Sequence, residues 1–270
     1  MNRRVFITLL GGASLASPLL VRAQNSSMPV IGFLHSGSAE QNVQRLAAYR
    51  QGLNQAGFVE GQNVTIEFRW AAGRNDELHA LASDLVRRQV TVIATPGSTL
   101  AAVVAKAATK TIPIVFAVGA DPVALGLVAS FNRPGGNVTG ITSSNAEIAA
   151  KRFSLIRELV PQAVRYFALV NPTDPVLAEP FTKGVQAGAA TIGIRIEIIR
   201  ASTDREIEQA FANFPPQSGS VLVFGPDAFF YTRRNKIAAL ATQHAVPTIF
   251  DGGDYVEAGG LASYGADFDI

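Results

Sequence analysis

Apolar and polar positions along the chain follow two alternating rhythms. Val30 to His35 is a nearly unbroken apolar run, as expected of a strand whose two faces are both covered by helices. Gln41 to Ala56 instead places apolar residues at Val43, Leu46, Ala47, Leu53 and Ala56, the spacing of a helix with one buried face. Gly57 supplies its stop. The alternation continues with strands predicted at Val64–Trp70, Val90–Thr95, Ile112–Phe116 and Val138–Ile141, and helices at Asp76–Arg88 and Ser98–Lys106. A helix at Glu147–Leu159 opens a second round. Its strands are predicted at Tyr166–Val170, Ile194–Ile199, Val221–Phe224 and Thr248–Phe250, its helices at Pro175–Thr191, Asp204–Ala212 and Ala228–Gln243. Strands alternating with helices imply parallel sheets with right-handed crossovers.

The two rounds also share wording. Ile112-Pro113-Ile114-Val115-Phe116 matches Val246-Pro247-Thr248-Ile249-Phe250, and Val92 to Ser98 parallels Leu222 to Asp227, a strand leaving through Pro into a helix. Each round ends with a Gly pair feeding a strand, Gly135-Gly136-Asn137-Val138 and Gly259-Gly260-Leu261-Ala262. The ordered recurrence points to an α/β protein of two similar, doubly wound parallel-sheet lobes related by a pseudo-twofold.

Before the first strand, residues 1–23 read as an export signal: Arg3-Arg4, an apolar run from Val5 to Leu20, then Val21-Arg22-Ala23. Cleavage is expected before Gln24. The Arg pair leaves twin-arginine and general secretion both open. The leader changes the charge argument. The chain has 23 Lys+Arg against 21 Asp+Glu, and without the three Arg of the leader the balance is 20 against 21. No basic run remains to track phosphates, so nucleic acid is not expected as a partner. The chain has no Cys, which excludes disulfides and thiolate chemistry. A periplasmic protein fits best.

In open parallel sheets, ligands bind beyond the carboxyl ends of the strands. Those ends carry Ser36-Gly37-Ser38, Gly97-Ser98-Thr99, Asp121, Asn171, Asp227 and Asp251. Pro96 and Gly97 shape a turn, Ser98 is placed to cap the next helix, and free N–H groups there would face a carboxylate; an ordinary N-cap is the competing role. Asp227 or Asp251 would receive an ammonium group, unless Asp227 is only a helix cap and Asp251 a turn residue. Phe116, Phe224, Phe229, Phe230, Tyr231 and Tyr264 cluster near the same ends, with Phe116 and Phe224 candidates for a cleft wall or for plain core. No metal cluster, nucleophile elbow, GxGxxG or P-loop stands out among the sequence motifs, and no cofactor, metal site or enzymatic activity is expected.

Three stretches carry a family resemblance: Pro29-Val30-Ile31-Gly32-Phe33-Leu34, Phe131-Asn132-Arg133-Pro134-Gly135-Gly136-Asn137-Val138-Thr139-Gly140, and Tyr255-Val256-Glu257-Ala258-Gly259-Gly260-Leu261-Ala262-Ser263-Tyr264-Gly265. Across residues 29–268 the chain resembles ABC transporter substrate-binding proteins of the type I periplasmic fold, near the tryptophan-binding-type group. The resemblance implies a first lobe of residues 29–141 plus 258–270, a second of 142–257, and a ligand cleft between them. It implies ligand contacts at Ser36, Gly37, Ser38, Gly97, Ser98, Thr99, Asp121, Asn171, Asp227, Asp251 and Tyr264. It further implies a monomer that captures a small solute, an amino acid or relative and in some members an aromatic one, for a membrane permease with its cytoplasmic ATPase. A ligand sensor for a signalling partner and an enzyme using cleft carboxylates are the alternatives. Family members continue some tens of residues past the Ser-Tyr-Gly segment. The expectation is therefore a first lobe lacking a helix, with one sheet face left bare.

Overall fold

The computed structural model describes residues 28–214 and 219–266; the expected leader and residues 267–270 lie outside them. The first sheet holds β1 (Val30–His35), β2 (Thr65–Trp70), β3 (Val92–Pro96), β4 (Ile114–Val118) and β5 (Val138–Thr142), in the order β2-β1-β3-β4-β5. The second holds β6 (Arg165–Val170), β7 (Ile196–Arg200), β8 (Ser220–Phe224), β9 (Thr248–Phe250) and β10 (Ala262–Ser263). Read from β7, its order is β7-β6-β8-β9-β10, the same winding as the first. Every strand pairing within the two sheets is parallel. The predicted duplication is thus present as repeated topology. β10 pairs with β9, so residues 262–263 belong to the second sheet, whereas the sequence expectation attached 258–270 to the first lobe.

Helices α2 (Leu78–Arg87) and α3 (Thr99–Ala108) cover one face of the first sheet. Leu85, Ala101 and Ala105 pack there on Leu34, Ile93, Ile114 and Phe116. On the other face, α1 (Val43–Gln55) lays the half-buried Leu46, Tyr49 and Leu53 on Ile31, Phe33 and Ile66. No residue of α1 is fully buried. Because α1 lies over the β1–β2 side, Val115 of β4 and Ile141 of β5 stay 46% and 61% exposed.

The second sheet is covered on both faces. Along β8, Val221 and Val223 pack with α4 (Ala149–Leu159) and α5 (Pro175–Ala190), while Leu222 and Phe224 pack with α6 (Asp204–Ala212), α7 (Ala228–Tyr231) and α8 (Arg234–Gln243). Strand side chains point alternately to opposite faces, so a wholly buried strand is apolar throughout. Fully burying one such Phe or Leu contributes roughly 1.5–3 kcal/mol.

The single helix predicted over 228–243 is two. The Arg233 N–H bonds the Phe230 carbonyl, three residues back, at 2.9 Å. Its guanidinium lies 3.7 Å from the Phe229 ring centroid and bonds Asp204 of α6 at 2.9 Å. Anchorage to a neighbouring helix tightens the chain there and ends α7 after one turn. The short α9 (Gly253–Glu257) follows the β9 loop and has no counterpart among the predicted elements.

Candidate functional site

The strand orders reverse direction between β1 and β3 in one sheet and between β6 and β8 in the other. Loops leaving such neighbours diverge and open a crevice. In the first lobe, the Ser36 N–H donates to Ser98 Oγ at 3.2 Å and Ser98 Oγ donates to Ser36 Oγ at 2.9 Å. Ser98 therefore ties two loops together, and its side chain does not cap α3 as the sequence suggested. Gly97 turns the chain with φ +73°, and a Cβ there would stand 3.0 Å from Nη1 of Arg45. Thr99 Oγ1 accepts from the Gly119 N–H at 3.0 Å, fixing the end of β4.

In the second lobe, Asp227 Oδ1 accepts from the Phe229 and Phe230 N–H groups at 2.7 and 3.1 Å. Asn171 Nδ2 donates to both Asp227 oxygens at 3.2 Å. Asp227 is therefore a helix cap that also faces the cleft. Burial, reinforced by the negative charge of nearby Asp174, pushes its carboxyl well above the ordinary range. Asp174, the buried cap of α5, is raised by burial too. Asp251 is different: its Oδ1 is inaccessible and has no hydrogen-bond partner within the protein. Burial raises its pKa, and the cations Arg152 and Arg45 oppose the rise.

Among the described residues the chain passes from the first sheet to the second once, between β5 and α4, and there Asn145 meets the loops after β9 and β10 of the second sheet. Asn145 Nδ2 donates to the Asp251 carbonyl at 3.3 Å, and its Oδ1 accepts from the Ala266 N–H at 3.2 Å. Beneath them lies Arg152, fully buried, donating to the carbonyls of Tyr264 at 2.8 Å, Phe224 at 3.5 Å and Asn145. Three carbonyls from three segments are thus held by one guanidinium, whose planar array of five donors suits such a junction. Gly265 passes so close that a Cβ would stand 1.9 Å from the Asp251 carbonyl oxygen.

Between the lobes lies a small cavity of about 70 Å³ bounded by Arg45, Gly97 and Thr99 on one side and Asp227, Tyr231, Asp251 and Asp254 on the other, with Ser143 and Asn145 of the β5–α4 passage also lining it. Two larger spaces adjoin it. One, of about 490 Å³, is polar and shares Asp227; Ser36, Gly37, Ser38, Asn171 and Thr173 line it. The other, of about 390 Å³, shares Arg45 and Gly97 and is walled by Phe33, Leu46, Tyr49 and Ile141. Small-molecule sites typically occupy roughly 300–1,000 Å³, so the central cavity holds a polar head group and a whole ligand extends into a neighbour. The lobes touch around it. Asn75 Nδ2 donates to the Thr173 carbonyl at 3.0 Å, Arg234 donates to Gln44, and the Arg45 guanidinium lies 3.3 Å from the Tyr231 ring centroid.

Most predicted positions converge here, with exceptions. Ser98 lies behind the wall. Asp121 lines none of these spaces, because its Oδ1 accepts from the Val123 and Ala124 N–H groups in its own turn. Tyr264 offers its carbonyl to Arg152 and leaves its side chain 42% exposed outside the cavity. Phe116 and Phe224 are core; of the aromatic residues singled out, Tyr231 lines the central cavity, beside Tyr255, and Phe229 lines the polar space. The sequence reading missed Arg45, Ser143 and Asn145; Asp254 lies in the strand-end segment 251–254 but was not carried into the site. Arg45 sits off the apolar stripe of α1, where a charge reads as a solvated face. Its signal was its place in the first turn after the β1 loop.

Comparison with known proteins gives the family and the fold. The family model described as "ABC transporter substrate binding protein" matches residues 12–269. A curated tyrosine-binding protein of Clostridioides difficile is 29% identical over 217 residues, 80% of this chain, which spans 61% of that protein's length. The solved structure of a conserved domain protein from Vibrio cholerae superposes with a TM-score of 0.76 at 24% identity, over 90% of this chain and 80% of that one. An ABC domain from Streptococcus pneumoniae in complex with L-Trp gives 0.73 at 22% identity with the same coverage. The architecture is the two-lobed α/β fold of type I periplasmic binding proteins, and the chain belongs to the ABC transporter substrate-binding protein family.

Proposed function

We propose that this chain captures an amino acid between its lobes and delivers it to a membrane permease powered by a cytoplasmic ATPase. In this reading the protein is exported to the periplasm by its N-terminal leader and works as a monomer. The observation that carries the reading is the opposition of two groups across the central cavity. Asp251 presents a buried carboxylate oxygen with no protein partner, and the N-terminus of α3 faces it with no side-chain cap. An α-ammonium group on the first and an α-carboxylate at the second would satisfy both ends, since helix N-termini attract anions. The named ligands of the relatives, tyrosine and L-Trp, support the class and place aromatic amino acids first among candidates. Of the two aspartates singled out as ammonium receptors, Asp251 is the better placed, because both oxygens of Asp227 are already engaged. A thermal-shift panel of amino acids tests the reading. A melting midpoint raised by one side-chain class supports it, and a midpoint unmoved by every amino acid contradicts it.

A further inference from the structure

Arg45 stands out among the cationic side chains in the cleft. It projects from the first turn of α1 and borders both the central cavity and the apolar space beside it. Among the described residues its guanidinium makes no hydrogen bond and no ion pair; its one directed contact is the Tyr231 ring, 3.3 Å away. Tyr231 belongs to the second lobe, so this stack forms only when the lobes meet. The other cations at this face are engaged. Arg234 donates to Gln44 and to the Tyr231 carbonyl, and Arg233 is paired with Asp204. The acidic groups facing Arg45 across the cavity are Asp227, Asp251 and Asp254, none within ion-pair distance of it.

A guanidinium stacked on a ring uses its face. Its N–H donors lie in its plane and remain available to a planar anion, which they bind in bidentate fashion. Nη1 lies over Gly97, at the entry to α3. Two features of positive potential therefore converge on one point of the cavity wall, and both lack an anionic partner within the protein.

We infer that Arg45 is the carboxylate receptor of the cleft, selecting ligands that carry a carboxylate and, through its stack on Tyr231, coupling that carboxylate to lobe closure. The inference rests on the reading of the cleft as a ligand site and deepens it by naming the side chain that, with the N-terminus of α3, receives the carboxylate. Gly97 is part of the arrangement, since a side chain there would displace the guanidinium.

Calorimetric titration tests it on the wild-type chain and on the Arg45→Gln and Arg45→Lys variants. The probes are L-tyrosine and L-tryptophan, their decarboxylated amines tyramine and tryptamine, and the amine-free acids 4-hydroxyphenylacetate and indole-3-acetate. Arg45 is half-buried on a helix that has no fully buried residue, and unchanged urea midpoints establish that the variants fold. The expected result is wild-type affinity for the amino acids at least 30-fold above that for the amines. Arg45→Gln should lose most of that preference while amine binding shifts less than threefold, and Arg45→Lys should restore part of it. Equal losses for acids and amines would mean that Arg45 merely latches the lobes, and would overturn the inference, as would amino-acid binding unchanged in Arg45→Gln. If the wild type binds only the amine-free acids, and does so through Arg45, the carboxylate receptor stands while the amino-acid reading falls. A wild type that binds no probe overturns both.

Discussion

A carboxylate oxygen shut away from water without a donor is destabilising by about 1–3 kcal/mol or more, and Asp251, on the wall of the central cavity, holds one. Such a group persists in a fold when a ligand satisfies it. Asp251→Asn removes the charge at nearly constant shape, and we expect it to weaken amino-acid binding at least tenfold while leaving the urea midpoint equal or higher. A binding isotherm and an unfolding curve on the same variant check both halves. Asp227 gives a pH signature instead. Its carboxyl is raised by burial and by Asp174, to about 7, so the folded state holds a proton that the unfolded chain, titrating near the ordinary carboxylate value, releases earlier. Stability from this group is complete below the unfolded value and is lost as pH rises toward 7. Relative to wild type, Asp227→Asn should therefore gain stability steadily between about pH 4 and pH 7, read from urea midpoints across that range. A constant difference would show that the carboxyl is not raised.

At the scale of elements, Arg152 ties the β5–α4 passage between the lobes to the ends of β8 and β10 in the second sheet. Replacing Arg152 by Met keeps the length and removes donors from three buried carbonyls. It also strips Asp251 of its main opposing cation. We expect a loss of about 2–4 kcal/mol in urea unfolding, together with weaker ligand binding as Asp251 is driven toward its neutral form. The elements themselves were largely legible in the sequence. Strands buried on both faces are apolar runs, and the helices between them keep one-sided periodicity. What was illegible depends on partners distant in the chain. Ser98 reads as a cap, but its partner Ser36 lies 62 positions away. The break between α7 and α8 depends on Asp204 of another helix, while residues 228–243 keep helical spacing on both sides of it. Phe116 and Phe224 sit at strand ends near the cleft, yet register turns both rings into the core. The strand-end rule reached Ser36, Gly37, Ser38, Gly97, Thr99, Asn171, Asp227 and Asp251, which line the spaces between the lobes. It stopped short of Arg45, one helical turn further on.

At the scale of the whole molecule, two lobes of like topology meet over a central cavity too small for a complete amino acid. In the proposed reading the ligand enters as the lobes part and is held as they close, the hinge motion of two-lobed binding folds. Asn75 with Thr173 and Gln44 with Arg234 are the polar contacts that hold the rims together. Such exposed hydrogen bonds contribute about 0.5–1 kcal/mol each. The double variant Asn75→Ala, Gln44→Ala should accordingly shift the free protein toward a wider form, with a larger radius of gyration in solution scattering that saturating ligand reverses. Affinity should fall by about threefold to thirtyfold, because closure then costs more of the binding free energy. The central claim is that the cleft recognises an amino acid by both its charged ends. Calorimetric titration of the chain with L-tyrosine and L-tryptophan tests it most directly. Saturable binding of one molecule per chain, weakened at least tenfold in Asp251→Asn, is the predicted result; no binding, or binding indifferent to Asp251, would contradict the account.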